Sequence, residues 1–312
     1  YTPDIASTTP DIASQTYIAD IDWNARLTAP ITGDLRDVLS PVLESYKLSA
    51  THLNNFLDVS RGGPQTFLLN NLLRFPQSKS PSAGYGTAMH ACLQFAHNSL
   101  RVDGTLPSEE QIIAYFVTQL EAQRLLPEDF TRYSEQGKAA LLAFLEAKQH
   151  TFTASQLTEL NFASQGVVVG DARLTGALDL VDINKEDRSI FVTDYKTGRP
   201  SQNWKGSSEY EKIKLHKYRQ QLMFYQLLVE GSRDYSGYRF IGGRLQFIEP
   251  EQRSGDILAL EEVFSSEDLA EFKRLIAVVW DKITTLDLPD ISDYEPTYKG
   301  MIAFEHDLLD IN

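Results

Sequence analysis

Apolar residues recur along this chain in two rhythms, and the change between them divides it. From Ser49 to about residue 150 they fall at helical spacing. Ser49-Ala-Thr-His-Leu-Asn-Asn-Phe-Leu begins as a capped helix, and Thr66 to Phe75 is apolar enough for another. Gly84-Tyr-Gly-Thr-Ala-Met-His-Ala-Cys-Leu-Gln-Phe-Ala-His opens an amphipathic helix, and two more are predicted over about 108–124 and 132–150. Then the period shortens. Gln156 to Phe162, Ala172 to Ile183 and Ser189 to Tyr195 read as three successive antiparallel strands, with Asn184-Lys-Glu-Asp-Arg turning between the last two. A polar loop over 197–208 leads to a helix from Leu215 to Glu230, a strand from Tyr238 to Ile248 and a closing helix from Ser266 to Leu286. The order β-β-β-α-β behind a block of helices predicts an α/β domain with a mixed central sheet.

Residues 1 to about 45 follow neither rhythm. They are rich in Thr, Ser, Pro and Asp, and they nearly repeat themselves at Pro3-Asp-Ile-Ala-Ser and Pro10-Asp-Ile-Ala-Ser. The expected organisation is a linker or docking segment over 1–45, with a short helix near Leu35–Leu39, followed by one domain over 46–312. Within that domain, 46–150 forms the helical part and 151–312 the α/β part. The chain opens on Tyr1 rather than Met and reads as a piece of a longer one. Its first residues resemble no signal peptide, and no apolar run reaches the roughly 20 residues of a membrane helix. The single Cys92 rules out an internal disulfide or a four-cysteine cluster, and makes a reducing cytoplasm the expected setting.

A net charge of −14 argues against a polyanionic partner, since phosphate binding is driven by Lys and Arg. The cations are unevenly spread, however. Arg188, Lys196, Arg199, Lys205, Lys212, Lys214, Lys217 and Arg219 crowd one stretch, while acids gather at 249–251, 261–262 and 287–293. A locally basic groove on an acidic body is the expectation.

The chemistry concentrates between Gly176 and Gly198. Asp179 interrupts the apolar run Ala177-Leu-Asp-Leu-Val, where a charge is costly unless it is paired or coordinated. Asp194 and Lys196 are two apart near the end of the next strand, so they share a face with Tyr195 opposite. Asp182 falls on the face opposite Asp179 and reads as a strand-end acid. Two carboxylates and a lysine brought together suit metal-dependent phosphodiester cleavage: hard oxygens hold a divalent cation, and the lysine adds positive charge beside water or phosphate. His90, on the helix after Gly84-x-Gly, offers a third ligand, with His97 two turns on as the alternative. Gln221 and Tyr225 share a helix face; Arg219 reads as a phosphate contact or a solvated cation, and Glu159 as a surface acid or a group behind the metal ligands. No nucleophile elbow, phosphate-binding Gly-x-x-x-x-Gly-Lys or His-Glu-x-x-His occurs.

Taken together these residues resemble the RecB-type branch of the PD-(D/E)XK nuclease superfamily. The matching elements are Gly86-Thr-x-x-His90, Glu159, Gly176-x-x-Asp179-x-Val-Asp, Asp194-Tyr-Lys196-Thr-Gly198 and Gln221-x-x-x-Tyr225, in the family's order over residues 50 to about 250. The resemblance implies a PD-(D/E)XK (restriction-endonuclease-like) α/β core with an N-terminal helical cap. It implies Mg²⁺ or Mn²⁺ held by His90, Asp179, Asp194 and the carbonyl oxygen of Tyr195. Lys196 would orient or activate the attacking water, while Gln221 and Tyr225, with Arg219, would position the substrate. The segments around Ala50–Leu57 and Phe67–Pro76 look like those at the start of nuclease domains at the C-terminus of UvrD-like helicases. A helicase motor in cis or as a partner subunit, DNA as substrate and a role in repair are thereby implied. A silent DNA-end-binding module, and a structure-specific endonuclease or RNase of the same superfamily, are the alternatives. Relatives with a four-cysteine iron–sulfur cluster are excluded by the single cysteine.

Overall fold

The computed structural model describes residues 34–310, and the chain divides after Ser45 into two units. Of the first unit, the described part is one helix, α1 (Leu35–Glu44), whose N-terminus Asp34 caps by accepting from Arg36 N. It runs five residues past the predicted Leu39. The rest of the expected docking segment lies outside the described residues.

The second unit opens with α2 (Ala50–Leu57), capped as predicted by Ser49, whose hydroxyl accepts from His52 N. A single 3₁₀ turn (Val59–Arg61) and Gly62 at φ 90° lead into α3 (Gly63–Phe67), so the Gly62-Gly63 pair turns the chain as expected. Here the structure departs from the sequence pattern. The helix predicted to reach Phe75 widens into a π-turn over Leu68–Leu72 and stops. The end is closed by Leu73 N donating to Leu68 O and Phe75 N to Leu69 O, with Arg74 at φ 55° between them.

Three long helices follow, α4 (Pro81–Asp103), α5 (Glu109–Glu121) and α6 (Pro127–Lys148). Ser80 and Ser108 cap the first two, and Gly104 ends α4 in the left-handed conformation. Their apolar stripes meet in a core of Met89, Cys92, Phe116, Leu141 and Phe144. Gly137 is essential to that packing: a Cβ there would lie 2.1 Å from Cζ of Phe116.

The five-stranded sheet has the order β1-β4-β5-β6-β7. Its strands are β1 (Leu157–Asn161), β4 (Ala177–Asn184), β5 (Ser189–Lys196), β6 (Arg239–Phe247) and β7 (Ala259–Glu262). The strand expected over Ala172–Ile183 is broken: Ala172–Arg173 (β3) turns away to pair with Val168–Val169 (β2). Neighbouring strands are antiparallel except β5 and β6, which are parallel and joined by the helix such a pair requires, α7 (Glu209–Gly231). The helices α4 to α6 cover the sheet face carrying Leu180 and Tyr195, and α7 covers the other. The unit closes with α8 (Ser266–Thr285) and α9 (Tyr298–Asp310). Strand β7 and helix α9 have no counterpart in the sequence reading. No helix among the described residues is long and apolar enough to cross a membrane.

Candidate active site

The site forms where β4 and β5 part. Their antiparallel pairing runs from Asn184↔Ser189 to Leu180↔Thr193 and then stops, while β5 stays paired with β6 as far as Lys196↔Phe247. The next position on each strand is Asp179 and Asp194. Two like charges directly opposite are unfavourable in a ladder, so the strands separate there. Tyr195 N, left without a ladder partner on β4, donates instead to Asp179 Oδ2 at 2.8 Å. On the far side of β4, Thr158↔Leu180 and Leu160↔Leu178 put Glu159 opposite Asp179. Glu159 has φ 49°, a strained value for a side-chain-bearing residue inside a strand. Three carboxylates thus stand in one row across β1, β4 and β5.

Helix α4 brings His90 to this row through the gap. Its Nδ1 is 3.3 Å from Asp179 Oδ2, and donor atoms of His90, Glu159 and Asp179 all lie within 4.8 Å of one another. Gly86, one turn earlier, lets the helix approach: a Cβ there would meet Thr197 Oγ1 at 3.2 Å. An imidazole nitrogen and two carboxylates, crowded beside a third, form a donor set that fits a hard divalent cation. The sequence reading left Glu159 as a surface acid or a group behind the ligands, and set Asp194 among them. In the structure Glu159 belongs to the convergent cluster, while Asp194 Oδ1 accepts two hydrogen bonds and its Oδ2 has no hydrogen-bond partner, only the ion pair with Lys196.

The groups that engage Asp194 come largely from α7. Tyr225 Oη donates to Asp194 Oδ1 at 2.7 Å and Gln221 Nε2 donates to the same oxygen at 3.0 Å. Lys196 Nζ sits 2.7 Å from Asp194 Oδ2 and donates to Gln221 Oε1, also at 2.7 Å. The Tyr218 ring lies under the ammonium, 4.1 Å from its centroid. Tyr218 was missed in the sequence. Its spacing of three and seven from Gln221 and Tyr225 places it on the same helix face and would have revealed it.

Burial and charge set the protonation of this cluster. Burial raises the Asp194 carboxyl; Lys196 opposes and the Asp179 charge reinforces, leaving it raised. Burial and the Asp179 charge raise Glu159 as well. For His90 burial pulls downward, but its hydrogen bond to Asp179 and the nearby charges win and raise it. Lys196 is likewise lowered by burial and raised more strongly by Asp194, so its ammonium is retained.

The remaining predicted residues are placed elsewhere. Arg219 is paired with Glu262 at 3.2 Å and Asp268 at 3.6 Å. Asp182, on the opposite face as expected, accepts from Gln156 at 2.9 Å. His97 is buried and bonded through Nε2 to Tyr195 Oη at 2.9 Å, on the helical-cap side of the sheet. The expected basic groove is only partly realised. Arg188 lies at the opposite end of β5 from Lys196, and Lys212 and Lys217 are paired with Glu209 and Asp58 at 2.7 and 2.6 Å.

A mixed sheet with parallel β5 and β6, a helical cap, and an Asp-x-Lys strand end facing a second aspartate define a class of phosphodiesterase fold. The sequence profile of the PD-(D/E)XK nuclease superfamily matches residues 47–293, and the chain belongs to that superfamily. Its members are nucleases that use divalent metals. No curated protein matches the chain.

Proposed function

We propose that this protein is a Mg²⁺- or Mn²⁺-dependent DNA nuclease acting on single strands or duplex ends, working as the nuclease module of a helicase–nuclease in DNA repair or recombination. The observation that carries the nuclease reading is the convergence of His90, Glu159 and Asp179 within 4.8 Å, beside a Lys196 held by Asp194 and Gln221. The helicase context, and a cytoplasmic setting, rest on the resemblance of the Ala50–Leu57 and Phe67–Pro76 segments to those of helicase-linked nucleases.

In this reading His90, Glu159 and Asp179 would hold the metal, with Asp194 and the Tyr195 carbonyl as the further ligands the family resemblance implies. When bound, the ion would supply Lewis acidity and offset charge developing on the phosphoryl group. Lys196 keeps its proton, so it serves as a fixed cation and hydrogen-bond donor to the attacking water or a phosphate oxygen, rather than as a base. Tyr225 and Gln221 fix Asp194 so that the ammonium does not move as charge builds, which is where preorganised electrostatics gain their effect. End-labelled linear single-stranded, linear duplex and circular DNA, incubated with Mg²⁺, Mn²⁺ or EDTA, test the proposal. Metal-dependent loss of linear DNA, slowed by orders of magnitude in Lys196→Ala, is expected. A folded, metal-binding protein that cleaves none of these DNAs would leave a DNA-end-binding module instead.

A further inference from the structure

Helix α7 leads from the catalytic cluster to a second polar cavity. Lys217, one turn before Gln221 and about 6 Å along the axis, reaches out to Asp58 Oδ2 at 2.6 Å. Asp58 lines an open cavity of about 500 Å³ between α2 and the π-turn that follows α3. Its walls also carry Arg61, Arg74, Phe75, Asn70, Asn71 and Gln77. The combination is unusual for a surface depression: an aromatic ring, two guanidinium groups and several amides. Phe75 is 57% exposed although large and apolar. Arg74 makes no ion pair among the described residues, while Asp58 is engaged by Lys217, by Ser60 and, at 3.9 Å, by Arg61. The cavity therefore carries positive charge on an acidic protein.

The backbone holds these side chains in place at a cost. Arg74 occupies the left-handed region at φ 55°, where a helix ending normally has glycine. The adjoining bond from Phe75 N to Leu69 O, 3.0 Å long, fixes the ring just beyond the π-turn. Strain kept by a residue that glycine would relieve points to a use for its side chain.

We infer that this cavity binds a nucleotide of single-stranded nucleic acid flanking the scissile position, an inference that rests on the nuclease reading above. Phe75 offers its face to an unstacked base, the Asn and Gln amides meet the base edge, and Arg74 meets the adjoining phosphate. Such aromatic platforms bind any base, because each presents a π-face, and they need the base unpaired.

Fluorescence anisotropy of labelled oligothymidylate, and of a blunt duplex, on the full chain in the presence of Mg²⁺ tests this, with Lys196→Ala as background to prevent cleavage. Phe75→Ala is expected to weaken single-strand binding roughly tenfold, with Phe75→Trp restoring it and duplex binding unchanged. Arg74→Gly is expected to weaken binding while the melting temperature holds or rises, since the strain is removed. Single-strand binding undiminished in Phe75→Ala and Arg74→Gly would overturn the assignment and leave the nuclease reading standing. Absence of any DNA binding or cleavage by the parent chain would overturn both.

Discussion

Lys196 is defined by what touches it: a carboxylate oxygen at 2.7 Å, an amide oxygen at 2.7 Å and a tyrosine ring at 4.1 Å. Lys196→Ala removes a buried, fixed cation from the site, so cleavage should fall by about 10²–10³, the effect of deleting a preorganised transition-state donor. Because Asp194 is raised by burial, it can take a proton when the lysine is lost, and the fold should survive. Parallel rate and circular-dichroism measurements check this, and equal loss of rate and structure would count against a catalytic role. The same crowding governs stability. Glu159 and Asp194 are raised, so the folded protein holds their protons more tightly than the unfolded chain; His90 is raised too. Their contributions are complete below the ordinary carboxylate and histidine values and are lost as pH rises through the raised ones. With metal chelated by EDTA, the site should therefore favour the protonated folded state, and stability should fall on going from mildly acidic to alkaline pH. Added Mg²⁺ should raise the melting temperature most at the alkaline end, where the carboxylates are ionised. Thermal melts across pH with and without EDTA would show it, and a metal effect independent of pH would contradict it.

At the scale of elements, α4 does more than deliver His90. It grips the region around the Asp-x-Lys strand end at three heights: Tyr85 Oη donates to Glu249 at 2.7 Å, His90 lies against Asp179, and His97 bonds Tyr195 Oη at 2.9 Å. Burial lowers His97 from 6.5 to about 4. The folded state keeps this imidazole neutral while the unfolded chain protonates it, so the stabilisation is present above about 6.5 and lost as pH falls toward 4. The interval corresponds to about 3 kcal/mol. The cluster at His90, Glu159 and Asp194 acts with opposite sign, so the test is a difference: denaturant unfolding of the parent against His97→Leu from pH 7 to 4. The gap between them should shrink as pH falls, and a constant gap would remove His97 as its cause. Most of this architecture was legible in the sequence. The serine cap at 49, the 3.6 and 2.0 periods, and the alternation of Asp194, Tyr195 and Lys196 all describe local geometry, which sequence encodes directly. What escaped depends on partners remote along the chain. Glu159 enters the cluster because β1 pairs with β4 in a particular register, and Ala172–Ile183 breaks because β3 has its own partner in β2. The π-turn after Phe67 interrupts a stretch whose composition is helical throughout.

Over the whole molecule, charge is the constraint that the site must work against. The net charge is −14, and ion pairs within the fold occupy several cations that the sequence placed near the groove, among them Lys217 and Arg219. The cations lining the two open cavities that make no ion pair among the described residues are Arg74, Arg199, Lys205 and Arg253; the last three line the cavity just beyond the Lys196 strand end. Each phosphate neutralised by a cation on a single strand contributes about −0.7 to the slope of log affinity against log salt. Four contacts would give a slope of about −3, shallow for a protein that depends on autonomous DNA capture. The acidic remainder of the surface repels the strand at long range, so raising salt screens that repulsion as well and flattens the slope further. The proposed helicase context would answer this, since tethering to a motor raises the effective strand concentration without requiring a basic surface. The measurement is the salt dependence of oligothymidylate binding to Lys196→Ala, taken with the chain alone. A slope of magnitude about 3 or less, together with weak affinity, fits a delivered substrate. A slope several times steeper would mean that many more cations reach phosphate than the ion-pair pattern allows, and that the chain captures DNA unaided.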